Sequence, residues 1–223
     1  VLISGSLAHD SIMDFPGVFT DHILPEKLHT LSVSFMVQSV RRHFGGTAGN
    51  IAYTLAQLGV TPILLSQLGR EDTADEEHCK KWNIDTRFVV RSATSTAGAW
   101  IMTDRKDNQI TAFHPGAMVE PASKGTAWKK QKYAMAIIAA GNAVDRRVVA
   151  QWCRTSRTPF LFDPGQQVTS MKPGELRDCL KGATALLVND YELEMVQKNL
   201  KASKEKLFEL TETIVTTLGA KGS

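Results

Sequence analysis

The 223-residue sequence contains only three cysteines, Cys79, Cys153 and Cys179, and it has no Cys-x-x-Cys pair. The number is odd and the spacings are wide, so we expect neither a disulfide framework nor a zinc site. A reducing, cytoplasmic location fits this pattern best. We expect all three side chains to pack as small hydrophobic groups rather than to act as nucleophiles.

Long apolar runs are also missing. No segment approaches the roughly 20 residues that a membrane-spanning helix needs, so we expect no membrane association. The first residues, Val1–Ser6, are typical of a strand and a turn, and they have no basic segment, so the sequence predicts no signal peptide.

A strong charge of either sign is absent, since 26 Lys and Arg face 23 Asp and Glu for a net charge of +3. The basic residues occur as scattered pairs such as Arg41–Arg42 and Lys129–Lys130, and this distribution argues against a nucleic-acid partner. Apolar residues make up 43% of the chain, which excludes disorder as its main state.

Short apolar runs alternate with amphipathic stretches along the whole chain. The predicted strands are Val1–Ser4, Pro62–Leu68, Ala134–Ala140, Pro159–Phe162, Ala183–Val188 and Thr213–Leu218. The predicted helices are Ala48–Leu58, Ala74–Trp82, Asp145–Thr155, Gly174–Leu180, Asp190–Leu200 and Ser203–Thr211. Strands that are apolar on both faces are typical of a buried parallel sheet. We therefore predict one α/β domain over residues 1–223, with a doubly wound, mostly parallel sheet.

Two regions, Leu31–Phe44 and Gly98–His114, interrupt this alternation and are typical of antiparallel strands. In the second region, Ala99–Thr103 and Gln109–Phe113 flank a polar turn, which predicts a hairpin. We expect a small β-sheet with strands within residues 11–44 and 97–115, serving as a lid or as a subunit contact. The alternative is an irregular surface excursion.

Several common site motifs are absent: GxxxxGK[ST], GxGxxG, HExxH and GxSxG. Their absence argues against a P-loop NTPase, a fingerprint dinucleotide site, a zincin and an α/β-hydrolase. Residues suited to contact a ligand follow the predicted strands instead; they are Gly5, Asp10, Gly69, Asp163, Asn189 and Glu192. In open α/β sheets such strand ends share one edge, so we expect a single site there.

The clearest local motif is Gly45-Gly46-Thr47-Ala48-Gly49-Asn50, at the start of a predicted helix. Paired glycines let the backbone approach a ligand, and a helix N-terminus presents free N–H groups. A simple turn is an equally good interpretation of this hexapeptide taken alone.

The spacing beyond this motif resembles a known family. Residues Gly45, Gly46, Asn50, Ala52, Gly59 and Gly69 match every fixed position of the first signature of the ribokinase family, also called the PfkB carbohydrate kinases. The stretches Gly5–Asp10, Asn189–Glu192 and Thr217–Gly222 resemble further family segments in the same order. Within the family, the chain looks most like the bacterial adenosine kinases, through His43–Tyr53, Asn108–Met118 and Phe162–Gln166.

The resemblance implies a kinase that transfers the γ-phosphoryl group of ATP to a hydroxyl of a nucleoside, with adenosine favoured, or of a sugar. It implies that Asp10 accepts hydrogen bonds from ribose hydroxyls, and that Gly45, Gly46 and Asn50 complete the sugar pocket. For Asp10 taken alone, a turn or helix-cap role remains open.

The family comparison also implies roles at the nucleotide end. Asn189, Thr217 and Gly219 would bind ATP, and Glu192 would bind Mg²⁺ through water molecules. A strand-end turn for Asn189 and a solvated helix face for Glu192 are the alternatives. Asp163 could assist the metal or cap the following turn.

Two further expectations concern the lid and the catalytic base. The lid would close over the sugar, with Phe113 and His114 near the substrate, and its strands could form a homodimer contact. The family's catalytic Asp belongs to a GAGD-like segment that does not occur in this sequence, so the base is expected beyond Ser223. Close alternatives are a kinase for ribose, fructose or a related sugar, and a protein that binds the ligand without turnover.

Overall fold

The structure is a computed structural model that describes residues 1–23, 30 and 32–223. One end of the predicted strand region Leu31–Phe44 lies at Leu31, outside the described residues.

The main layer is a parallel sheet of seven strands among the described residues. Its strands, in chain order, are β1 (Leu2–Ser4), β4 (Ile63–Gly69), β5 (Asp85–Ser92), β8 (Ala136–Ile138), β9 (Phe160–Phe162), β10 (Ala183–Asn189) and β11 (Thr211–Thr217). Their order across the sheet is β11-β10-β9-β8-β1-β4-β5. The order reverses direction beside β1, so the doubly wound prediction is confirmed and the strand ends converge on one edge.

Six α-helices of the described chain connect these strands. They are α1 (Thr47–Gln57), α2 (Thr73–Lys81), α3 (Ala143–Ser156), α4 (Pro173–Leu180), α5 (Asp190–Leu200) and α6 (Lys204–Leu207). The predicted helix Ser203–Thr211 is too long, because the chain turns after Leu207 and Thr211 already begins β11. The edge strand β5 was not predicted, because polar and charged residues in Asp85–Ser92 interrupt its apolar pattern.

A second, four-stranded sheet forms the lid, in the order β3-β2-β6-β7. It consists of β2 (Ala8–Asp14), β3 (Ser39–Gly45), β6 (Ala97–Thr103) and β7 (Gln109–His114). The hairpin of β6 and β7 is confirmed, but β2 begins three residues before the predicted limit at residue 11. Asp10 therefore lies on a lid strand, and not after a strand of the parallel sheet as the sequence suggested.

Both faces of the parallel sheet are covered, and adjacent residues of β1 illustrate why its strands are apolar throughout. Leu2 and Ile3 are both fully buried, but Leu2 belongs to the core under α3 and α4 while Ile3 packs with Ala48 and Ala52 of α1. Side chains alternate between faces along a strand, so burial of both faces requires a continuous apolar run.

In the part of the chain that the structure describes, no helix combines the length and the apolar character needed to cross a membrane. The three cysteines are free and buried, and burial raises the pKa of Cys79 to about 11 and of Cys153 and Cys179 to about 12. Their thiols are therefore poor nucleophiles, in agreement with a packing role.

Candidate functional site

A cleft of about 680 Å³ opens at the carboxyl edge of the parallel sheet. Its walls come from the ends of β9, β10 and β11, from the start of α1, and from the lid strand β7. The sequence-predicted residues Asp163, Asn189, Glu192, Thr217 and Phe113 all line it. The sheet edge at which the sequence predicts a site therefore carries a cleft.

Asp10 and Gly45 lie side by side at the base of the lid. A methyl group placed on Gly45 would come within 3.1 Å of the Asp10 carboxyl carbon, so the carboxylate lies directly over this glycine. Asp10 is half-buried; burial raises its pKa, and the nearby His43 and His9 oppose that shift. The result is a partly desolvated carboxylate.

The register of the lid links Asp10 to the cleft, although Asp10 does not itself line the cleft wall. Asp10 pairs with Ala99, and Ala99 pairs with Phe113, so the three side chains form a row on one face of the sheet. Phe113 is about half exposed and lines the cleft. Its neighbour His114 falls on the opposite face, so only Phe113 of this predicted pair faces the site.

The turn before α1 is held by Ser6. Gly46 has a φ of +80°, and a Cβ there would lie 2.7 Å from the backbone nitrogen of Ala8, so only glycine fits. The amide of Thr47 donates to the Ser6 hydroxyl at 3.1 Å, and the amide of Ala48 donates to the Ser6 carbonyl at 2.9 Å. Two N–H groups of the helix start are therefore occupied within the protein, which corrects the expectation that they are free for a ligand.

Asn50 is exposed in the first turn of α1 and lines a shallow groove with Thr54 and Leu55. The structure does not place it on the wall of the large cleft. The hydroxyl of Thr47 does face the cleft; it donates to the Ala140 carbonyl at 2.5 Å and accepts from the Ser6 amide at 3.2 Å. No role was predicted for Ser6 or Thr47 from the sequence, although both belong to stretches that carried the resemblance.

Asn189 and Glu192 form a capping box at the start of α5. The Asn189 side chain accepts the Glu192 amide at 2.7 Å, and the Glu192 carboxylate accepts the Asn189 amide at 2.9 Å. Glu192 is 9% exposed, so it is not on a solvated helix face. The cap uses one carboxylate oxygen, Oε2, and the residue still lines the cleft.

Asp163 follows β9 and lies near Glu192. Its Oδ1 accepts the Gly165 amide at 3.0 Å, so the turn role and a cleft-facing role coexist. Burial raises the pKa of Asp163, and the negative charge of Glu192 raises it further, against the Gly165 hydrogen bond. Two neighbouring carboxylates with spare oxygens are a donor set that suits Mg²⁺, which prefers oxygen ligands and retains several waters.

Thr217 pairs in register with Asn189 across β10 and β11, which places both at the same corner of the cleft. Gly219 lies in an exposed turn and has a φ of +59°. A methyl group placed on it would meet no atom within 4 Å. The structure therefore joins Thr217 to the site and leaves Gly219 outside the cleft wall.

Gln167 is a wall residue that the sequence analysis missed. Its side-chain oxygen accepts the Gly141 amide at 2.8 Å and also bonds to Arg146, which is buried and paired with Glu175 at 2.6 Å. Its oxygen is committed to these two bonds, so only the amide N–H groups of this wall residue remain to contact a ligand. Only the tertiary contact with Arg146 reveals this role, because the local sequence has no comparable signal.

The sequence pattern of the family described as "pfkB family carbohydrate kinase" matches residues 15–223. The chain belongs to the pfkB family. The resemblance seen in the first signature is thereby confirmed, and the fold agrees with that of ribokinase-like structures.

Solved structures of nucleoside kinases are similar to this chain. The Burkholderia thailandensis nucleoside kinase in complex with inosine has 32% sequence identity and a TM-score of 0.86, over 98% of this chain and 70% of that one. The structure of the same kinase with ADP and inosine has 35% identity and a TM-score of 0.82, over 97% and 68%. A nucleoside kinase of Methanocaldococcus jannaschii is 27% identical over 89% of this chain and 66% of its own length. The chain thus spans slightly less than two thirds of the length of this curated relative.

Proposed function

We propose that this chain provides the acceptor site and part of the ATP site of a kinase that phosphorylates a hydroxyl of a nucleoside. The observation that carries the proposal is the arrangement of the cleft in a pfkB-family chain. Asp10 lies over Gly45 at the lid end, and the Asp163–Glu192 carboxylates lie at the end formed by β9 and α5. A diol reader in the row of lid residues that reaches the cleft at Phe113, and a metal–phosphate pair on the cleft wall, suit phosphoryl transfer.

At the lid end, the proposed role of Asp10 is to accept hydrogen bonds from two neighbouring ribose hydroxyls. A charged acceptor strengthens these bonds and fixes the direction of the sugar. Gly45 leaves room for the carboxylate, and the proposed role of Gly46 is to complete the sugar pocket at the start of α1. Phe113 offers an apolar surface to the acceptor and helps exclude water when the lid closes.

At the other end, Asn189, Thr217 and Gln167 offer polar groups to the phosphates of ATP. Asp163 and Glu192 would hold Mg²⁺, directly or through water. The ion would supply charge neutralisation on the phosphates. Neither Gly219 nor Asn50 lies on the cleft wall in this structure. We propose that Gly219 contacts ATP and Asn50 contacts the sugar only after the lid or a loop closes.

A nucleoside is favoured over a free sugar because the similar solved structures with the higher sequence identities, 25–35%, bear the names of nucleoside kinases, one kinase being in complex with inosine, whereas structures named ribokinases are 18–22% identical. Adenosine remains the preferred candidate within that class, on the segments that resemble bacterial adenosine kinases. The sugar alternative, ribose or fructose, uses the same diol contact to Asp10. The proposed location of the protein is the cytoplasm. The proposed assembly is a homodimer formed through the lid strands, and gel filtration with light scattering tests it.

The catalytic base is proposed to lie outside these 223 residues. The two described carboxylates that line the cleft, Asp163 and Glu192, would serve the metal end, and Asp10, on the neighbouring lid strand, would serve the diol. A general base contributes about 10²–10⁴-fold to such a reaction, so the chain alone should bind the acceptor without useful turnover. A protein that only binds the ligand is the remaining alternative.

The test titrates adenosine, inosine, ribose and fructose into the purified chain by calorimetry, and measures ADP release with Mg²⁺ and ATP. We expect nucleoside binding without ADP release from the 223-residue chain, and ADP release from the product of the whole gene. Absence of nucleoside binding by both proteins would contradict the proposal. Equal ADP release from both would show that the base lies within these residues.

A further inference from the structure

A cluster of four side chains lies where the lid joins the main layer, away from the walls of the cleft. It consists of His9 in β2, Arg42 in β3, and Asp72 and Asp75 at the start of α2. His9 is 9% exposed and Asp75 is 4% exposed. The Nε2 atom of His9 lies 2.7 and 2.9 Å from the two carboxylate oxygens of Asp75, and Arg42 bonds to Nδ1.

These contacts determine the position of the ring proton. A guanidinium group only donates hydrogen bonds, so Nδ1 of His9 must accept from Arg42. The ring proton of the neutral His9 then resides on Nε2 and is donated to Asp75. Both ring nitrogens of this side chain are therefore fully used.

The second carboxylate of the cluster, that of Asp72, bonds to the residue that precedes lid strand β6. Asp72 accepts from the hydroxyl of Thr96, the residue just before β6, and that hydroxyl accepts the Gly69 amide at 2.8 Å. Asp72 Oδ1 also lies 3.7 Å from the Arg42 guanidinium. The start of α2 thus holds β2 through His9, β3 through Arg42 and β6 through Thr96.

His9 is adjacent to Asp10 on β2, so the two side chains point to opposite faces of the lid sheet. One face is fastened to α2, and the other presents the carboxylate over Gly45. A shift or rotation of β2 at His9 would move the Asp10 carboxylate with it.

We propose that His9 is a positioning residue for the kinase: its bonds to Asp75 and Arg42 hold the lid base so that Asp10 faces the acceptor hydroxyls. This inference rests on the proposed function. Burial raises the pKa of Asp75 while the His9 hydrogen bond opposes that shift, so losing His9 would leave a buried carboxylate without its main partner.

A metal site is the competing interpretation, because the ligand atoms of His9, Asp72 and Asp75 lie within 4.8 Å of one another. A cation there would have to remove the proton from Nε2 and lie beside the Arg42 guanidinium. The hydrogen-bonded arrangement uses the same atoms without either cost, and so it is favoured.

The test compares His9→Leu with His9→Gln. Leucine fills a similar volume without polar atoms, while a glutamine amide can donate to Asp75 and accept from Arg42. We expect His9→Leu to weaken inosine affinity by about tenfold or more, because a displaced Asp10 would lose a hydrogen bond between its charged carboxylate and the ribose. His9→Gln should stay within about threefold of the parent. Amide hydrogen exchange at residues 8–10 and 43–45 should accelerate only in the leucine variant.

Glu76→Gln is the matched control. Glu76 lies next to Asp75 on α2 and pairs with Arg91, away from the lid strands, so this variant should bind inosine as the parent does. A leucine variant that melts earlier but keeps full inosine affinity would overturn the positioning role and leave only a structural one.

Nitrogen-15 NMR of the histidine rings provides a readout that does not depend on the kinase. We expect His9 to carry its proton on Nε2 in the parent protein. A proton on Nδ1, or a ring signal that shifts on addition of Zn²⁺ alone, would overturn the hydrogen-bonded arrangement of His9 with Asp75 and Arg42. If the parent binds no nucleoside, the proposed function fails, and the exchange and NMR results still decide whether His9 fixes the lid base.

Discussion

The carboxylate of Asp10 occupies the space that a side chain at position 45 would need, since a Cβ on Gly45 would lie 3.1 Å from the Asp10 carboxyl carbon. Glycine is required here by its neighbour and not by its backbone angle, because Gly45 is absent from the positions with positive φ. The glycine of the family signature is thus linked directly to the proposed substrate carboxylate.

Gly45→Ala should therefore impair substrate binding more than folding. The methyl group would push the Asp10 side chain out of its rotamer, and an off-rotamer side chain costs about 0.5–1.5 kcal/mol before any contact with substrate is lost. We expect nucleoside affinity to fall by about tenfold, measured by calorimetry, with little change in the melting temperature.

Gly125→Ala is the control for this substitution, because a Cβ at Gly125 would meet nothing within 4 Å and its φ of −69° suits alanine. It should leave both affinity and stability unchanged. Equal nucleoside affinity in the Gly45 and Gly125 variants would show that Asp10 does not need its present rotamer.

Asp10→Ala tests the carboxylate itself. A hydrogen bond to a charged group contributes about 1.5–3 kcal/mol, which corresponds to about one to two decades in affinity. We expect nucleoside binding to weaken by that amount while ATP binding stays nearly intact, because the phosphate end of the cleft is formed by Asp163, Asn189 and Glu192. Unchanged nucleoside affinity in calorimetry would remove Asp10 from the acceptor site.

The sequence was sufficient for six of the seven strands of the parallel sheet, because the inner strands are buried on both faces and keep an apolar pattern; the edge strand β5, with its polar and charged residues, was missed. The inner strand β10 was predicted to within one residue for this reason. Helix α5, which follows it, was also predicted to within one residue. The lid was harder, since β2 follows β1 after a short turn and carries polar residues such as His9 and Asp10. Its pairing with β6 depends on contacts across about 90 residues of chain, and no local pattern reports them.

Glu192→Gln separates the capping role of this residue from its proposed metal role. The glutamine amide oxygen can still accept the Asn189 amide, so the capping box and the melting temperature should be preserved. The lost charge weakens the carboxylate pair at Asp163, so a higher Mg²⁺ concentration should be needed for half-maximal rate in the active gene product.

Glu192→Ala removes both roles and provides the comparison. It should lose about 1.5 kcal/mol of stability with the hydrogen bond that Glu192 accepts from the Asn189 amide, in addition to the raised Mg²⁺ requirement. An unshifted Mg²⁺ curve in the glutamine variant, with normal nucleoside affinity, would leave Glu192 as a helix cap alone.

Asp163→Asn should stabilise the protein at neutral pH in the absence of divalent ions. Burial raises the pKa of Asp163 above its ordinary value of 3.8, and Glu192 adds to this shift, so the folded state holds the proton more tightly than the unfolded chain does. The contribution of Asp163 to the free energy of unfolding therefore decreases as pH rises from about 3.8 through the folded-state pKa, and it stays lower at higher pH. Asparagine carries no charge and can still accept the Gly165 amide, so it avoids this loss.

Thermal melts of the parent and of Asp163→Asn from pH 3.5 to pH 8, in EDTA, measure this effect. We expect the melting temperature of the variant to exceed that of the parent at neutral pH, and the difference to narrow as pH falls to 3.8 and below, where Asp163 becomes protonated in both states. Mg²⁺ should also narrow the difference at neutral pH, because a cation bound between Asp163 and Glu192 stabilises only the parent. A parent protein that is the more stable of the two at pH 7 in EDTA would mean that the Asp163 charge has a favourable partner within the fold, and the assignment of this carboxylate to a metal would then lose its electrostatic basis.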